Sequence, residues 1–423
     1  MSRLTPLLER SRRHFRALKP AWRSCRRLAR YVPSPAVFGS RRPHRPAGYY
    51  ARVEDYLEKN PGAGVVNEIY PREQYARPMP HTMEGGPPHP IFAPLGEVTV
   101  AAPKIIQLYG ARYWGYNAGV IIGRDNKLLH DLSPDVWGIE SHRAFAQWRY
   151  PPCRHIKGVV AVLSTAEADR NYWHWTYELL PRIHYLAKAN FGPETVDYYV
   201  INHRGRPFQL EALPRLGLPP EKILLADERL HFTADHLLTT SLKTGQLQIS
   251  RRDTNWLRDD FGAVQDTRPF RRLYLSRRGC AFRRILNESE IEPILRAQKF
   301  EIFEPDKLSL AEQITRFAEA KVIVGPHGSA FTNTVFASPE AVIAEVIPES
   351  YVDPAFWAVS TAVGQRHLVD YTPGASGLDY THVCRQDDFR VNPARIGRWL
   401  EWVLAESAKP REINVPSVTT SDS

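Results

Sequence analysis

The sequence predicts an α/β protein built as two Rossmann-like domains around a cleft, and three observations carry that expectation. At 423 residues the chain is longer than one hydrophobic core usually organises. Its 43% hydrophobic and 24% charged residues are the proportions of a folded globular protein. Short β-rich apolar runs alternate with helical patterns at the spacing of βαβ units, which implies parallel sheets whose ligands gather at the carboxyl ends of the strands.

The chain opens on a basic arm. Residues 1–46 hold 13 Lys and Arg against one acid, Glu9, whereas residues 47–423 hold 43 bases against 45 acids, so the net charge of +10 belongs to the arm. Leu4, Leu7, Leu8, Phe15, Leu18, Trp22, Leu28 and Tyr31 recur among its Arg and Lys roughly at helical spacing until Pro33 and Pro35 stop the pattern. A basic amphipathic helix of this kind suits an anionic membrane surface. A solvated tail fits the same residues. Nucleic acid is not the expected partner, because no recognised nucleic-acid fold follows the arm.

From Pro33 to Pro90 the chain is rich in Pro and Gly, as in Glu84-Gly85-Gly86-Pro87-Pro88, and predicts an irregular, wrapped segment. Strands are then expected at 98–101, 105–109, 120–122 and 159–163, a long helix at 171–190, a strand at 197–202, a helix near 207–216 and a strand at 223–225. Residues 47–245 are read as one α/β domain and the polar stretch 246–268 as a linker. The second domain, 269–408, begins with a strand at 272–276. Asn287 with Glu290 predicts a capping box for a helix through 298, whose apolar face is Ile291, Ile294 and Leu295. A strand at 300–303 follows. Ser309 with Glu312 predicts a second box, before Leu310, Ile314 and Phe317. Strands at 321–324 and 341–347 flank a Gly-Pro-His-Gly turn and a short helix from about Ser329. Residues 409–423 are expected to be a disordered tail.

Cys25, Cys153, Cys280 and Cys384 lie far apart, with neither a CxxC pair nor a Cys/His zinc spacing, so reduced thiols and no bound metal are expected. No stretch approaches the eighteen apolar residues of a membrane span, and the N-terminus lacks the apolar core of a secretory signal. A cytoplasmic location follows, with the arm allowing peripheral attachment to the inner face of a membrane.

Three constellations carry chemistry. Gly325-Pro326-His327-Gly328-Ser329-Ala330 follows a strand and opens a helix, so free N–H groups and glycines that permit close approach suit phosphate oxygens; His327 and Ser329 point to the same place, with Asn333 one turn on. A tight turn with a buried histidine fits the six residues as well. Ser276-Arg277-Arg278, with Arg283, Arg284, Asn287 and Glu288, also lies just past a strand, and its arginine forks suit a diphosphate, although a solvated basic loop reads the same way. Glu345, at the end of the last strand, suits ribose hydroxyls or an ordinary buried partner. In Asn171-Tyr172-Trp173-His174-Trp175-Thr176-Tyr177-Glu178, spacings of three and four put Asn171, His174 and Glu178 on one helix face, where a histidine beside a carboxylate is poised for general-base work. A core helix with a satisfied histidine is the alternative.

Taken together these motifs resemble glycosyltransferase family 61, whose bacterial members include capsular polysaccharide biosynthesis proteins. The resemblance rests on Asn171-Tyr172-Trp173-His174-Trp175 with Leu180-Pro181-Arg182, on Tyr274-Leu275-Ser276-Arg277-Arg278 with Arg284-Ile285-Leu286-Asn287-Glu288, and on Val322-Ile323-Val324-Gly325-Pro326-His327-Gly328-Ser329-Ala330 with Asn333. It covers about residues 155–350, with Glu178 standing where the family usually has Asp and Ser329 where it often has Ala. It implies a GT-B architecture and inverting, metal-independent transfer from a nucleotide-sugar donor to a glycan or lipid-linked acceptor in capsular polysaccharide or lipopolysaccharide assembly. The absence of any Asp-x-Asp agrees with the metal expectation. On this basis Ser276, Arg277, Arg278, Arg284, Asn287, Glu288, Gly325, His327, Gly328, Ser329, Asn333 and Glu345 would hold the donor. Asn171, Trp173 and Arg182 would hold the acceptor, and His174 would be the base with Glu178 as its partner or replacement. The competing readings are a membrane-associated scaffold without turnover and a hydrolase using Ser329 and His174, the latter weakened by the lack of a Gly-x-Ser-x-Gly elbow.

Overall fold

A computed structural model of the chain describes residues 45–116, 119–133, 138–147, 149–243, 247–262, 268–373 and 386–410. The arm helix expected near the N-terminus, and all but the first two residues of the expected tail, lie outside them. In chain order the strands are β1 (Gly48–Tyr50), β2 (Gly64–Glu68), β3 (Glu73–Ala76), β4 (His81–Thr82), β5 (Glu97–Val100), β6 (Lys104–Leu108), β7 (Arg112–Trp114), β8 (Val120–Ile122), β9 (Lys127–Leu129), β10 (Arg154–Val162), β11 (Tyr198–Ile201), β12 (Ile223–Leu225), β13 (His231–Thr240), β14 (Arg271–Leu275), β15 (Glu301–Phe303), β16 (Ala320–Pro326), β17 (Val342–Pro348) and β18 (Arg366–Thr372).

They form a mixed α/β structure with two parallel-rich sheets. The first runs β1-β9-β8-β7-β13-β10-β11-β12, with β6 paired to β13 and β2 to β6, and its segment β13-β10-β11-β12 is parallel. The second runs β15-β14-β16-β17-β18-β4 and is parallel throughout. Its central strands are apolar on both faces because helices cover both. Val322, Val324, Val342 and Ala344 pack with Ile291, Leu295, Trp399 and Val403 of helices Glu288–Ala297 and Pro393–Ala408. Ile323 and Ile343, one residue on, turn to the opposite core with Ile314, Phe317 and Phe356 of helices Leu310–Ala318 and Ala355–Val363.

That second core does not stop at a domain boundary. Leu163, Trp173, Tyr177 and Leu238 from the first half share one apolar cluster with Ile323, Phe331 and Phe356 from the second. The Tyr177 hydroxyl donates to the Thr332 carbonyl (2.7 Å), and the Tyr172 hydroxyl to Asn333 Oδ1 (2.6 Å).

Several expectations need correction. The described part of the segment read as irregular, from residue 45 to Pro90, holds β1 to β4 and a helix at Val53–Lys59. Strand β4 pairs with β18 at the edge of the second sheet, and nearby Trp357 Nε1 donates to the Pro78 carbonyl (2.8 Å). The polar stretch 246–268 contains a helix, Arg251–Asp260, capped by Ser250, with Trp256 and Leu257 buried in the shared core; its overall polarity hid a narrow apolar stripe. The strand expected at 98–101 is β5, paired with β3 in a separate two-stranded sheet. Strand β13, which joins the two parts of the first sheet, has no sequence expectation at all; nor do β18 and the helices at 355–363 and 393–408.

Asn287 does not form its capping box, since its side chain accepts no bond from the helix N-terminus. It is drawn off to pair with Val391, donating to the carbonyl (2.9 Å) and accepting from the N–H (3.1 Å). The Ser309–Glu312 box forms as read.

Candidate functional site

In the second sheet the chain leaves β14 toward β15 on one side, whereas β16 leads to β17 and β18 on the other. The carboxyl ends of β14 and β16 therefore flank the crevice where connections diverge, the place at which open parallel sheets bind ligands. Ser276 and Arg277 follow β14, and His327 and Gly328 follow β16.

Arg277 is 6% exposed, and among the described residues no carboxylate lies at ion-pair distance from it. Nε donates to the Arg283 carbonyl (3.2 Å) and Nη2 to the Phe282 carbonyl (2.8 Å), so the loop wraps back around its own guanidinium. Burial draws its pKa down from the ordinary arginine value. A Cβ on Gly328 would lie 1.9 Å from Nη1, so glycine is what lets the group pass. Gly325 answers a different need: a Cβ there would meet the Leu275 carbonyl at 2.8 Å, so it permits close packing of β16 on β14 and is not a ligand group.

His327 is almost fully buried. Nδ1 lies 2.7 Å from Glu345 Oε2, and its ring packs on Phe356 (4.9 Å between centroids) and Tyr351 (5.8 Å). Glu345 is sealed from solvent and cannot reach a ribose. It stands between His327 and His367, whose Nε2 is 3.1 Å from Oε1 but misaligned for a hydrogen bond, and whose Nδ1 pairs with Ser360 Oγ (2.8 Å). Burial lowers the pKa of His327, raises that of Glu345 and pushes His367 down to about 3, so His367 is neutral. Arg283, in the sequence simply one of the basic run, donates from Nε to the His327 carbonyl (3.2 Å) and sits at φ 55, a left-handed conformation uncommon for a side chain of this size.

The other arginines of the expected clamp are engaged elsewhere. Arg278 pairs with Glu288 (3.0 Å) and Glu292 (3.1 Å), and Ser276 also donates to Glu288 (3.0 Å). Arg284 pairs with Asp388 (2.6 Å), across a junction in which Ile285 bridges Phe389. Ser276, Arg278, Arg284, Asn287 and Glu288 thus build and anchor the loop that carries Arg277. Ser329 and Asn333 do not share a face, because Ser329–Phe336 is a 3-10 helix, in which residues four apart are rotated by about 120°. Ser329 is exposed, and Asn333 is buried between Tyr172 and Gln313 (2.8 Å), where it fastens the two halves together. No described histidine bonds to Ser329, which leaves the hydrolase alternative without support.

The helix 172–188 contains a π turn at Trp175–Leu179. Pro181 has no N–H to give the Tyr177 carbonyl, and Lys243 Nζ donates to it instead (2.6 Å). Asn171 caps this helix through the Trp173 N–H, and Trp173 is a core residue against Tyr177 and Phe356; neither is free to hold an acceptor. Arg182 is buried, not an acceptor ligand. It fills the crevice between β10 and β13 with four bonds, to the Val162 and Ser164 carbonyls and to the Thr239 and Thr240 hydroxyls (2.6–2.9 Å), and burial pushes its pKa down to about 10. His174 Nδ1 is 2.9 Å from Glu178 Oε2, yet the two are not aligned for a hydrogen bond, and Thr165 Oγ1 donates to the same oxygen (3.3 Å).

Trp173 and His327 rest on the same Phe356 ring, so the aromatic helix and the histidine turn meet at one place. Among the described residues no helix is long and apolar enough to cross a membrane. Residues 172–344 match the Glycosyltransferase 61 family, which bears out the resemblance drawn from the three motifs over that span. No curated protein matches the chain.

Proposed function

From the Glycosyltransferase 61 domain at residues 172–344, and the sugar transfer that membership implies, we propose an inverting transferase of GT-B type that takes a nucleotide-sugar donor and a glycan or lipid-linked acceptor. The single observation that carries the donor class is Arg277, a buried guanidinium with no carboxylate partner among the described residues, at the crevice between β14 and β16. A buried cation is costly unless an anion completes it, and a diphosphate at this position would do so. As the bond from the sugar to the diphosphate breaks, negative charge grows on the departing oxygens; Arg277 opposes it with a charge already in place. With no Asp-x-Asp in the sequence to hold a divalent ion, guanidinium groups supply the positive charge and the transfer runs without metal. Cell-surface polysaccharide synthesis at the cytoplasmic face of a membrane, with residues 1–46 on the bilayer, is the setting that fits a basic arm joined to a near-neutral body.

Calorimetry with a panel of UDP-, GDP- and dTDP-sugars tests this reading. Binding of at least one donor, weakened tenfold or more by Arg277→Ala, is expected. Failure to bind any donor, or an Arg277→Ala variant that binds like wild type, overturns it.

A further inference from the structure

Resting on that reading, we propose that His327 is the general base of the transfer, held in its proton-accepting tautomer by Glu345, which acts as a positioning residue. His327 Nδ1 lies 2.7 Å from Glu345 Oε2 in hydrogen-bond geometry, and among the described residues this is the only hydrogen bond the imidazole makes. With the ring proton donated there, Nε2 carries the lone pair. Among the described residues Nε2 has no hydrogen-bond partner, and the side chain keeps 4% of its surface exposed. A nearly buried imidazole, clamped by Phe356 and Tyr351, thus presents one reactive atom beside the Arg277 crevice.

The surroundings separate two roles. Arg277 and Arg283, on the loop after β14, bring permanent positive charge; a neutral histidine beside them adds nothing to phosphate binding, and its lone pair would repel a phosphate oxygen. It suits a hydroxyl. The acceptor oxygen forms a bond to the anomeric carbon, and the bond from that carbon to the diphosphate breaks with its electron pair passing to the leaving oxygen. The acceptor proton moves to Nε2, and the Glu345 carboxylate stabilises the imidazolium so formed. His174 is poorer in the same respect, since its Nδ1 has no aligned partner to hold a tautomer. The charged and titratable groups around His327 are Glu345 on β17, Tyr351 and Asp353 beyond it, His367 on β18, and the two arginines. The helix Ala355–Val363 turns Phe356 toward the ring and Ser360 toward His367, and neither adds charge.

Two measurements test the assignment. Nitrogen-15 histidine spectra of the wild-type protein near neutral pH, with His327 identified by its loss in His327→Asn, are expected to show a protonated Nδ1 and a bare Nε2. A protonated Nε2 would overturn the proposal whatever the substrate. Donor hydrolysis, followed as nucleoside diphosphate released from the same sugar-nucleotide panel, supplies the second. His327→Asn is expected to bind donor within about threefold of wild type but to turn it over about 100-fold more slowly, the usual scale of a general base. Glu345→Gln is expected to be slower about tenfold or more, with the acid limb of its pH profile moved to lower pH, because the carboxylate no longer raises the affinity of His327 for a proton. Loss of donor binding in His327→Asn would make His327 a phosphate ligand, and unchanged rates in both variants would remove the pair from catalysis. A wild-type protein that binds no donor overturns the transferase reading itself, a result distinct from either.

Discussion

Replacing Gly328 by alanine perturbs the crevice at a single atom. The residue is extended at φ 179, so alanine meets no backbone strain and the effect is steric. The added Cβ would stand 1.9 Å from Arg277 Nη1, 2.7 Å from Cζ and 3.1 Å from Cδ. Non-bonded heavy atoms settle at about 3.5 Å, so the guanidinium must retreat by roughly 1.5 Å. That motion breaks the bonds to the Phe282 and Arg283 carbonyls, now 2.8 and 3.2 Å. Bonds to a charged group contribute roughly 1.5–3 kcal/mol each, and water recovers part of the loss, so Gly328→Ala should cost about 2 kcal/mol in urea denaturation. Moving the charge off the diphosphate position should also weaken nucleoside diphosphate binding about 10- to 100-fold by calorimetry. In an Arg277→Ala background the same substitution should change stability by less than about 0.5 kcal/mol, because the side chain it collides with is gone. Equal costs in both backgrounds would refute the steric argument and the placement of Arg277 together.

Arg182→Leu removes four buried bonds, to the Val162 and Ser164 carbonyls and the Thr239 and Thr240 hydroxyls, and a loss of about 3–5 kcal/mol or failure to fold is expected; a urea midpoint near wild type would contradict its place in the first sheet. Tyr172→Phe leaves Asn333 Oδ1 without its donor inside the junction between halves, and about 1–3 kcal/mol should be lost without change in the urea m-value. His367 supplies a pH test. Its folded pKa, pushed down to about 3 by burial, lies below the unfolded value of about 6.5, so the unfolded chain takes the proton first and stability falls as pH drops through that window. From pH 7 to pH 5 the penalty grows to about 2 kcal/mol, and the stability of His367→Asn relative to wild type should rise by that amount. A gap that is independent of pH would show that His367 is charged in the fold or exposed.

Much of this was legible before any coordinates, and the failures have identifiable causes. The strands around 272–276, 321–324 and 341–347 announced themselves because a parallel sheet covered on both faces needs uninterrupted apolar runs. The Ser309–Glu312 box is local and forms as read. The Asn287–Glu290 pattern is equally good locally and fails, because β-like pairing with Val391, more than a hundred residues away, claims the same side chain. Arg277, Arg278 and Arg284 are equivalent in the sequence. Glu288, Glu292 and Asp388 neutralise two of them and leave Arg277 without a carboxylate among the described residues.

The sequence by itself determined the strands around 272–276, 321–324 and 341–347, the capped helix after Ser309 and the three motifs that carry the family resemblance, because periodicity, capping and turn chemistry act over a few residues. Tertiary structure decided what those motifs are for. It turned Arg182 and Asn333 from candidate ligands into fasteners and paired Glu345 with a histidine instead of a sugar. It also left Arg277 as a buried cation at the sheet's crevice, with no carboxylate partner among the described residues. Burial and pairing between distant segments set the charge and the free valence of each side chain, and neither can be read from neighbours along the chain.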